Sequence, residues 1–381
     1  METVETSDNC SYRWLETGFE ALNAMVASIE GAKVSVSLEI YIFTESEIAN
    51  RFRDALVAAA ERGCVVRIVI DAWGSIDLRS DYWKDLTTAG GDCRWFNPLK
   101  LKRLAYRNHR KSMICDEKIA YIGGFNIAPE YYGDGVNSGW RDLGVEIKGA
   151  PVRQVTECFN RTFDRAELIH GRAQYLKRPM SHEIEAECSA KLLLNSPGFG
   201  PSALKSSLAK DLENAKNVRI ICAYFQPNWK IRRLLIRVAR THGLQSVSLL
   251  LAGKTDVALS KLASHKLYSQ FLRAGIKIYE YQPQILHAKL VIVDDVVYVG
   301  SSNLDARSLH INYELLLRIE NKDLAEQARV MFDRDLERSH QIELEKWTKR
   351  SLLQKFKERI AYFLLTKLDP YLALRKLKNL R

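Results

Sequence analysis

One short pattern occurs twice in this chain, and that repetition constrains the fold more than any other feature. In each copy a His is followed two residues later by a Lys, then by an Asp, and, beyond a glycine, by an Asn. The two sets are His109, Lys111, Asp116 and Asn126, and His287, Lys289, Asp294 and Asn303. On a β-strand, residues i and i+2 project from the same face, so each His and its Lys point into the same space. A sparse pattern that recurs with matching downstream residues predicts a duplicated unit.

The residues around the two copies support this duplication. Segments with helical or strand periodicity alternate before each copy, which is typical of α/β layering. The segments are 19–30, 34–43, 47–62 and 65–70 in the first half, and 218–225, a helix ending near Gly243, and 247–251 in the second. The predicted fold class is therefore α/β, with two fused units and C-terminal basic amphipathic helices.

The length of 381 residues suits two domains of ordinary size. We predict a first domain over 1–170, a linker over 171–201, where periodicity is weak, a second domain over 202–345, and a C-terminal segment over 346–381. The two units differ just before the motif. Gly90 precedes His109 by 19 residues, whereas Gly275 precedes His287 by 12. The first unit thus carries a seven-residue insertion, which lies in the basic and apolar stretch 99–107.

Positive charge is concentrated at the C-terminal end. The net charge is +11, of which the last 36 residues carry +9 and the rest of the chain +2. From Lys349 onward, apolar residues lie on one helical stripe opposite Lys and Arg, and Pro370 interrupts the pattern. Two interpretations remain open. The helix lies in the headgroup plane of a membrane, or its apolar stripe packs on the protein's own core.

The cysteines and the first residues bear on the compartment. Seven cysteines form no CxxC pair and leave one unmatched, which argues against a zinc module or a disulfide framework and favours a reducing compartment. The acidic, polar start of the chain does not resemble a signal peptide. No apolar run approaches the ~18 residues of a membrane span. We therefore expect any membrane contact to be peripheral.

The paired motif predicts phosphodiester chemistry. Two imidazoles, two ammonium groups and two Asn amides that converge would bind a tetrahedral anion. One His can attack phosphorus while the other protonates the leaving alkoxide and later deprotonates the acceptor alcohol. Lys111, Lys289, Asn126 and Asn303 would hold the non-bridging oxygens. This chemistry requires no cofactor and no metal.

Each reacting His needs its far nitrogen held, usually by a carboxylate. Asp142 and Glu314 occur at comparable positions after the two motifs and are the candidates, although the sequence does not indicate which acid serves which His. Asp116 and Asp294 belong to the motif and count among its catalytic residues. Their place where a strand reaches a tight hairpin also suits turn or salt-bridge duty. The glycines between each Asp and Asn suit either sheet packing or backbone approach to phosphate.

The motifs resemble the HxKx4D motifs of the phospholipase D superfamily, whose members join two copies around one active site. Four further stretches look like those of bacterial cardiolipin synthases, namely 39–43, 223–227, 300–305 and 312–314. The resemblance implies two α-β-α sandwich domains related by a pseudo-twofold axis, with His109 as nucleophile and His287 as acid and base. It also implies transfer of a phosphatidyl group from phosphatidylglycerol to a second lipid headgroup alcohol. Anionic phospholipids would be the partners, at the cytoplasmic side of the cell membrane.

Other functions fit the same motif. A hydrolytic phospholipase D differs only in the use of water as acceptor. A nuclease of the same superfamily would need a basic groove, and the body of the chain carries only +2, so we expect no nucleic-acid partner. A non-catalytic membrane-surface protein would not need both motifs intact. The oligomeric state is left open.

Overall fold

Two β-sheets, one from each half of the chain, form the framework of the protein. The structure, a computed structural model, describes residues 1–6, 9–97, 106–168, 182–185, 189–197, 202–243 and 245–378. In the first half the elements are β1 (Val4–Glu5), β2 (Ser11–Leu15), α1 (Gly18–Gly31), β3 (Ser35–Ile40), α2 (Glu47–Glu61), β4 (Val65–Asp71), α3 (Lys84–Thr88), β5 (Asp92–Phe96), β6 (Ser112–Cys115), β7 (Ile119–Gly123), β8 (Gly144–Lys148) and α4 (Pro151–Leu168).

The second half repeats this order and then continues. Its elements are β9 (His182–Glu185), β10 (Ala190–Asn195), α5 (Ala203–Glu213), β11 (Val218–Cys222), α6 (Trp229–His242), β12 (Val247–Lys254), α7 (Ala258–Arg273), β13 (Lys277–Ile285), β14 (Lys289–Val293), β15 (Val296–Gly300), α8 (Ala306–His310), β16 (Glu314–Glu320), α9 (Lys322–Glu337), β17 (Ser339–Gln341), α10 (Leu344–Thr348), α11 (Leu352–Phe363) and α12 (Asp369–Lys378).

The two sheets have the same topology. The first runs β1-β2-β8-β7-β6-β3-β4-β5, and the second, read from β9, runs β9-β10-β16-β15-β14-β11-β12-β13, with β17 added at its edge. In the first sheet β3, β4 and β5 are parallel, and the motif strand β6 pairs antiparallel with β3. In the second sheet β11, β12 and β13 are parallel, and β14 pairs antiparallel with β11. The predicted fold class, two fused α-β-α units with C-terminal helices, is confirmed.

The inner faces of the two sheets share a single hydrophobic core. Strand residues of both sheets pack there with apolar residues of α4 and α9, including Phe159 and Phe332. The indole of Trp14, in the first sheet, donates to the carbonyl of Leu324 in α9 at 3.2 Å. The outer faces are covered separately, by α1 and α2 in the first half and by α5, α6 and α7 in the second. Because the central core is shared, the two halves are held together by buried apolar surface.

The predicted linker 171–201 is only partly a connection. Within it, β10 pairs antiparallel with β16, and β9 pairs with β10. These strands take the places that β1 and β2 take in the first sheet. Leu192, Leu193 and Leu194 are all buried, so this strand is covered on both faces and its sequence does not alternate between apolar and polar residues. The second unit therefore begins earlier than residue 202.

The C-terminal helices continue through Pro370, contrary to the predicted interruption. A π-helical segment, Leu364–Leu368, joins α11 to α12, and the amide of Asp369 donates to the carbonyl of Leu364. Pro370 is the second residue of α12. A proline inside a continuous helix removes one backbone hydrogen bond, and here the irregular π-helical turn lies just before it. None of the described helices is long and apolar enough to cross a membrane.

The structure bears only in part on the predicted insertion and on the cysteines. The insertion 99–107 lies outside the described residues except for Tyr106 and Arg107, both of which are buried. Among the cysteines, Cys10 is disulfide-bonded, whereas Cys64, Cys93, Cys115, Cys158 and Cys222 are free thiols. The disulfide at Cys10 does not fit the reducing compartment expected from the cysteine pattern.

Candidate active site

The sheet topology explains why residues far apart in sequence meet at one edge. His109 and Lys111 precede β6, Gly124 follows β7, and Asp142 precedes β8. Since β6, β7 and β8 are antiparallel neighbours, the start of β6, the end of β7 and the start of β8 lie at the same end of the sheet. The second sheet places His287, Lys289, Gly300 and Glu314 in the same way. These two ends face each other across the shared core.

Short backbone bridges join the halves on both sides of the site. The amide of His109 donates to the carbonyl of Tyr313 at 3.0 Å, and the amide of Tyr313 donates to the carbonyl of Arg107 at 2.9 Å. On the other side the amide of His287 donates to the carbonyl of Arg141 at 2.8 Å, and the Arg141 amide to that of Ile285 at 2.8 Å. The backbone of each motif His is therefore hydrogen-bonded to the residue just before Glu314 or Asp142 of the other half.

The His–carboxylate pairs cross between the halves. Nδ1 of His109 lies 3.2 Å from the carboxylate of Glu314, 205 residues later. Nδ1 of His287 lies 2.6 Å from Oδ2 of Asp142, 145 residues earlier. Both carboxylates are fully buried. Each pair leaves Nε2 as the ring nitrogen that is free of the carboxylate, and the assignment that sequence left open is thus His109 with Glu314 and His287 with Asp142.

Burial and nearby cations keep both imidazoles neutral. Burial lowers the pKa of His109, and the Lys111 cation lowers it further, although Glu314 opposes this. Burial and the Lys289 cation lower the pKa of His287 to about 4. For Asp142 and Glu314, burial alone would raise the pKa, but the neighbouring lysines and histidines outweigh it and hold each pKa below its ordinary value. Each pair is therefore a neutral imidazole beside a carboxylate.

The two motif lysines lie beside the histidines, and both are buried. Nζ of Lys111 donates to the carbonyl of His109 at 2.7 Å, and Nζ of Lys289 donates to the carbonyl of His287 and lies 2.7 Å from its Nδ1. Burial lowers the pKa of both, that of Lys111 to about 7. An ammonium has three N–H donors, so donors remain on each for an anion.

The two Asn side chains are held by matching bonds. Oδ1 of Asn126 accepts from the amide of Ile42 at 3.0 Å, and Oδ1 of Asn303 accepts from the amide of Tyr224 at 3.3 Å. Nδ2 of Asn126 is buried and makes no hydrogen bond of normal geometry within the described residues. A buried donor without an acceptor is costly, and an oxygen of a bound phosphate would satisfy it.

The motif aspartates lie at the other end of their strands, which corrects their inclusion with the catalytic residues. Asp116 is in the hairpin between β6 and β7, roughly 15 Å along the strand from Lys111. Its carboxylate accepts from the amides of Lys33, Val34 and Ser35 at 2.7–3.1 Å. Asp294 accepts from the amides of Lys216 and Asn217 in the same way. Both have positive φ, so they serve the turn and fix the neighbouring chain.

Replacing Asp116 by alanine should therefore destabilise the fold and leave chemistry intact. Loss of the acceptor and of a residue that tolerates φ of 54° should cost about 1–3 kcal/mol of unfolding free energy. Turnover per folded molecule should remain close to that of the wild type. Denaturant unfolding together with activity per folded molecule checks both. Asp295→Ala, one residue beyond the equivalent Asp294, is the control. A large loss of turnover in folded Asp116→Ala would contradict the structural role.

The glycines serve close packing around the acids. A Cβ on Gly124 would lie 2.1 Å from Oδ1 of Asp142, and one on Gly300 would lie 2.3 Å from the carbonyl oxygen of Leu315. Of the two roles left open by the sequence, the structure accounts for sheet packing. In the second half, Ser301 takes the position of Gly124, and its hydroxyl donates to Oε2 of Glu314 at 2.5 Å.

Sequence reasoning missed several residues that surround the two histidines. The ring of Tyr41 lies edge-on to His109, with centroids 4.9 Å apart, and the rings of Tyr131 and Trp140 contact His287. The hydroxyl of Tyr131 lies 3.5 Å from Nε2 of His287. Tyr41 lies within the stretch 39–43, which carried the family resemblance. The other two had no signal of their own.

Arg110, between the motif His and Lys, was also missed. Its guanidinium is fully buried and donates to Thr162 in α4, at 3.1 Å, and to the carbonyls of Glu314 and Asn195 in the second half, at 3.3 and 3.4 Å. The second copy has Ala288 at this position. Arg110 therefore ties the first motif to the second half from the face opposite His109 and Lys111.

A comparison with protein families matches both halves of the chain. The family model described as "Cardiolipin synthase, PLD-like domain" matches residues 25–165 and 208–336. The "Major cardiolipin synthase ClsA" of Bacillus subtilis is 30% identical over 368 residues, which cover 95% of this chain and 76% of that protein. The "Cardiolipin synthase" of Clostridium perfringens is 32% identical over 347 residues, covering 88% and 72%.

Solved structures share the fold at low sequence identity. The phosphatidylserine synthase of Haemophilus influenzae superposes with a TM-score of 0.75 at 14% identity, over 98% of this chain and 96% of that one. The polyphosphate kinase of Porphyromonas gingivalis gives a TM-score of 0.57 at 13% identity, over 96% and 53%. These likenesses concern the fold alone.

Proposed function

This chain belongs to the cardiolipin synthase, PLD-like domain family of the phospholipase D superfamily and is an enzyme of the phosphatidyltransferase type, and we propose that it makes cardiolipin or a close analogue. The donor is phosphatidylglycerol, and the acceptor is the hydroxyl of a second lipid headgroup. The observation that carries this proposal is the crossed arrangement of His109 with Glu314 and His287 with Asp142 around two buried lysines.

In the first step, Nε2 of His109 attacks phosphorus of the donor. The bond between phosphorus and the glycerol oxygen breaks, and His287 protonates that oxygen from its Nε2, so glycerol leaves and a phosphatidyl group remains on His109. A bound phosphodiester anion raises the pKa of His287 and thereby favours the protonated form that this step needs. Lys111, Lys289, Asn126 and Asn303 stabilise the charge on the non-bridging oxygens.

In the second step, the acceptor hydroxyl takes the place of glycerol. His287, now neutral, removes its proton, the oxygen attacks phosphorus, and the bond to His109 breaks. We assign the nucleophile to His109 because the first copy usually supplies it in this superfamily. Its ring is also the more accessible, with 13% of the side chain exposed against 5% for His287.

The C-terminal helix supports a peripheral membrane position for the enzyme. Its apolar residues point outward, with exposed fractions of 83% for Leu352, 58% for Phe356 and 57% for Phe363, whereas Glu358 and Ala361 are buried. The apolar stripe thus does not pack on the core. An amphipathic helix with its apolar face outward and basic residues beside it suits the headgroup region of an anionic bilayer, and we place the enzyme at the cytoplasmic side.

A bidentate ion pair fixes this tail next to the site. The guanidinium of Arg307 donates to both carboxylate oxygens of Asp369 in α12, at 2.7 and 2.6 Å. Arg307 lies in α8, four residues after Asn303. Tyr371 and Leu372, which follow Asp369, are also exposed. The exposed apolar residues of α12 therefore lie near α8, on the side from which we propose that a lipid donor enters from the bilayer.

Replacing the outward apolar residues of α11 should weaken membrane binding without harming the fold. We expect the triple variant Leu352→Gln, Phe356→Gln, Ile360→Gln to bind vesicles of phosphatidylglycerol and phosphatidylcholine about tenfold or more weakly, because it loses apolar area to insert. Sedimentation measures this. Val330→Gln, at a side chain 52% exposed on α9, is the control. Unchanged binding by the triple variant would remove α11 from the membrane contact.

The pH profile should reflect the Lys111 cation. Burial lowers the pKa of Lys111 to about 7, so its charge is present below that pH and is lost above it. We expect kcat/KM for detergent-dispersed donor to fall by up to about tenfold per pH unit on the alkaline side of that pKa. A profile that stays flat well into the alkaline range would contradict a role for the Lys111 cation in binding the free donor.

Product analysis tests the function itself. Purified enzyme is incubated with labelled phosphatidylglycerol vesicles and, separately, with labelled single-stranded DNA. A diphosphatidyl product with release of glycerol supports the transferase. Phosphatidic acid as the sole product would identify a hydrolytic phospholipase D, and cleavage of DNA alone would identify a nuclease.

A further inference from the structure

A second basic site lies outside the catalytic centre. An open cavity of about 260 Å³ is formed between α7 and the segment from α10 to α11. The charged side chains of its wall are Lys266, Arg273, Arg350, Lys355, Arg359 and Glu358. Five cations against one carboxylate leave a positive excess. None of these residues belongs to the two motifs, to the His–carboxylate pairs or to the side chains that contact the two histidines.

On one side of the cavity wall, the cationic side chains already have partners within the protein. Glu358 is buried and forms an ion pair with Arg350, whose guanidinium lies 3.3 Å from the ring centroid of Trp347. Nζ of Lys355 donates to the carbonyl of Thr348 at 2.7 Å. By contrast, Lys266, Arg273 and Arg359 are exposed and form no ion pair within the described part of the chain. Their charge is available to a ligand.

The floor of the cavity is held in place from below. Nε2 of His265 lies 2.9 Å from Oε1 of the buried Glu280, and its ring contacts that of Trp347 edge-on, with centroids 5.0 Å apart. Nδ1 of His265 is buried, makes no hydrogen bond within the described residues and lies 3.9 Å from Oε1 of Glu358. The fixed ring of His265 and the Arg350–Glu358 ion pair thus form a preorganised base beneath the exposed cations.

The cavity borders the outward apolar stripe of α11. Lys355 and Arg359 line the cavity and are four residues apart on one side of the helix. Phe363 follows Arg359 by a further four residues, and Phe356 precedes it by three, so both apolar side chains neighbour Arg359 on the helix surface. A ligand with its anionic group in the cavity would thus have apolar surface directly beside it. A phospholipid combines these two parts, whereas inorganic phosphate has no apolar part.

We propose that this cavity binds the phosphate of an anionic phospholipid that is not the reacting substrate, with its acyl chains along Phe356 and Phe363. The inference rests on the proposed membrane contact of α11 and adds to it a discrete, saturable site. Such a lipid would fix the orientation of the C-terminal helices relative to the bilayer. Because Asp369 of α12 is paired with Arg307 of α8, it would also fix the orientation of the active site.

The test uses a photoactivatable phosphatidylglycerol diluted in phosphatidylcholine vesicles, with crosslinks mapped by peptide mass. The variant Lys266→Gln, Arg273→Gln removes two exposed charges of the cavity. The control Lys357→Gln, Lys367→Gln removes two charges from the tail outside it. We expect crosslinks on α7 and α11 at the cavity in the wild type and in the control, and about tenfold fewer in the cavity variant. Turnover of detergent-dispersed donor should be the same in all three.

Each other outcome counts against a defined claim. Equal loss of crosslinks in the two double variants would mean that diffuse charge alone attracts the lipid, and the cavity site would be wrong. Displacement of the label by inorganic phosphate would identify a site for soluble phosphate instead of a lipid. If the wild type sediments with vesicles but gives no cavity crosslinks, the cavity site fails and the membrane contact stands. If it does not sediment, both fail, while product formation in detergent still tests the transferase.

Discussion

Replacing either His109 or His287 by alanine is expected to reduce phosphatidyl transfer by about four orders of magnitude or more, because neither half alone has both a nucleophile and an acid. The two variants should nevertheless fail at different steps. His109→Ala removes the atom that attacks phosphorus. His287→Ala keeps that atom and removes the proton donor and acceptor.

A donor with an activated leaving group separates these failures. Such a group departs without protonation, so the His287→Ala variant should still form the covalent phosphatidyl enzyme, and the label should accumulate because no base activates the acceptor. The label should be acid-labile and base-stable and should map to His109 by peptide analysis. His109→Ala should take up none.

Two results would overturn this assignment. Label on His287 in the His109→Ala variant would reverse the roles of the two residues. Near-normal turnover in either folded variant would mean that the halves do not share a single site. His310→Ala, at a histidine that contacts Lys205 and lies outside the crossed pairs, is the matched control and should keep its turnover.

The crossed carboxylates should be almost as important as the histidines. Glu314→Gln and Asp142→Asn keep size and hydrogen-bonding capacity but no longer stabilise an imidazolium, and an amide also allows the wrong tautomer. We expect each to lower kcat by about 10²- to 10⁴-fold, as with the equivalent change in other His–carboxylate pairs. The cause would be loss of the carboxylate charge and of the ring orientation that it fixes, since Nδ1 of each His is hydrogen-bonded to its carboxylate.

The pairing predicts which double variants are additive. Adding Glu314→Gln to His109→Ala should cost little more than His109→Ala alone, because the acid acts through that ring. Adding it to His287→Ala, which belongs to the other His–carboxylate pair, should give a larger combined loss. Glu280→Gln, which removes a similar carboxylate from His265, is the control and should leave turnover in detergent unchanged. If Glu314 instead proved non-additive with His287 and additive with His109, the crossed assignment would be wrong.

The sequence predicts the fold well because the repeat itself carries the information. Two copies of one order of elements give one topology twice, and i, i+2 spacing brings each His and Lys to one place. Pairing between Glu314 and His109, or between Asp142 and His287, depends on how the two sheets dock. That docking is set by the shared core and by bridges such as Asn108 with Tyr313, which no local periodicity records.

Other features could not be predicted from the sequence, for different physical reasons. The Asp of the motif follows His109 by seven residues, but an extended strand carries it to the opposite end of the sheet. Strand β10 is buried on both faces, so its apolar residues do not alternate with polar ones. The helical stripe of α11 was predicted correctly, but a period of 3.6 residues does not indicate which face turns inward. There the polar Glu358 packs on the protein and Phe356 faces outward.

The crossed pairs also have an evolutionary consequence. A single unit on its own would contain an unheld imidazole and an acid with no ring to hold, so an ancestor with one unit could act only as a symmetric homodimer. The presence of two units in one chain makes that encounter intramolecular and independent of protein concentration. It also allows the two copies to differ. Ala288 stands at the position equivalent to Arg110, and Ser301 at the position equivalent to Gly124. A symmetric pair of histidines could thereby evolve into an attacking group and a proton carrier.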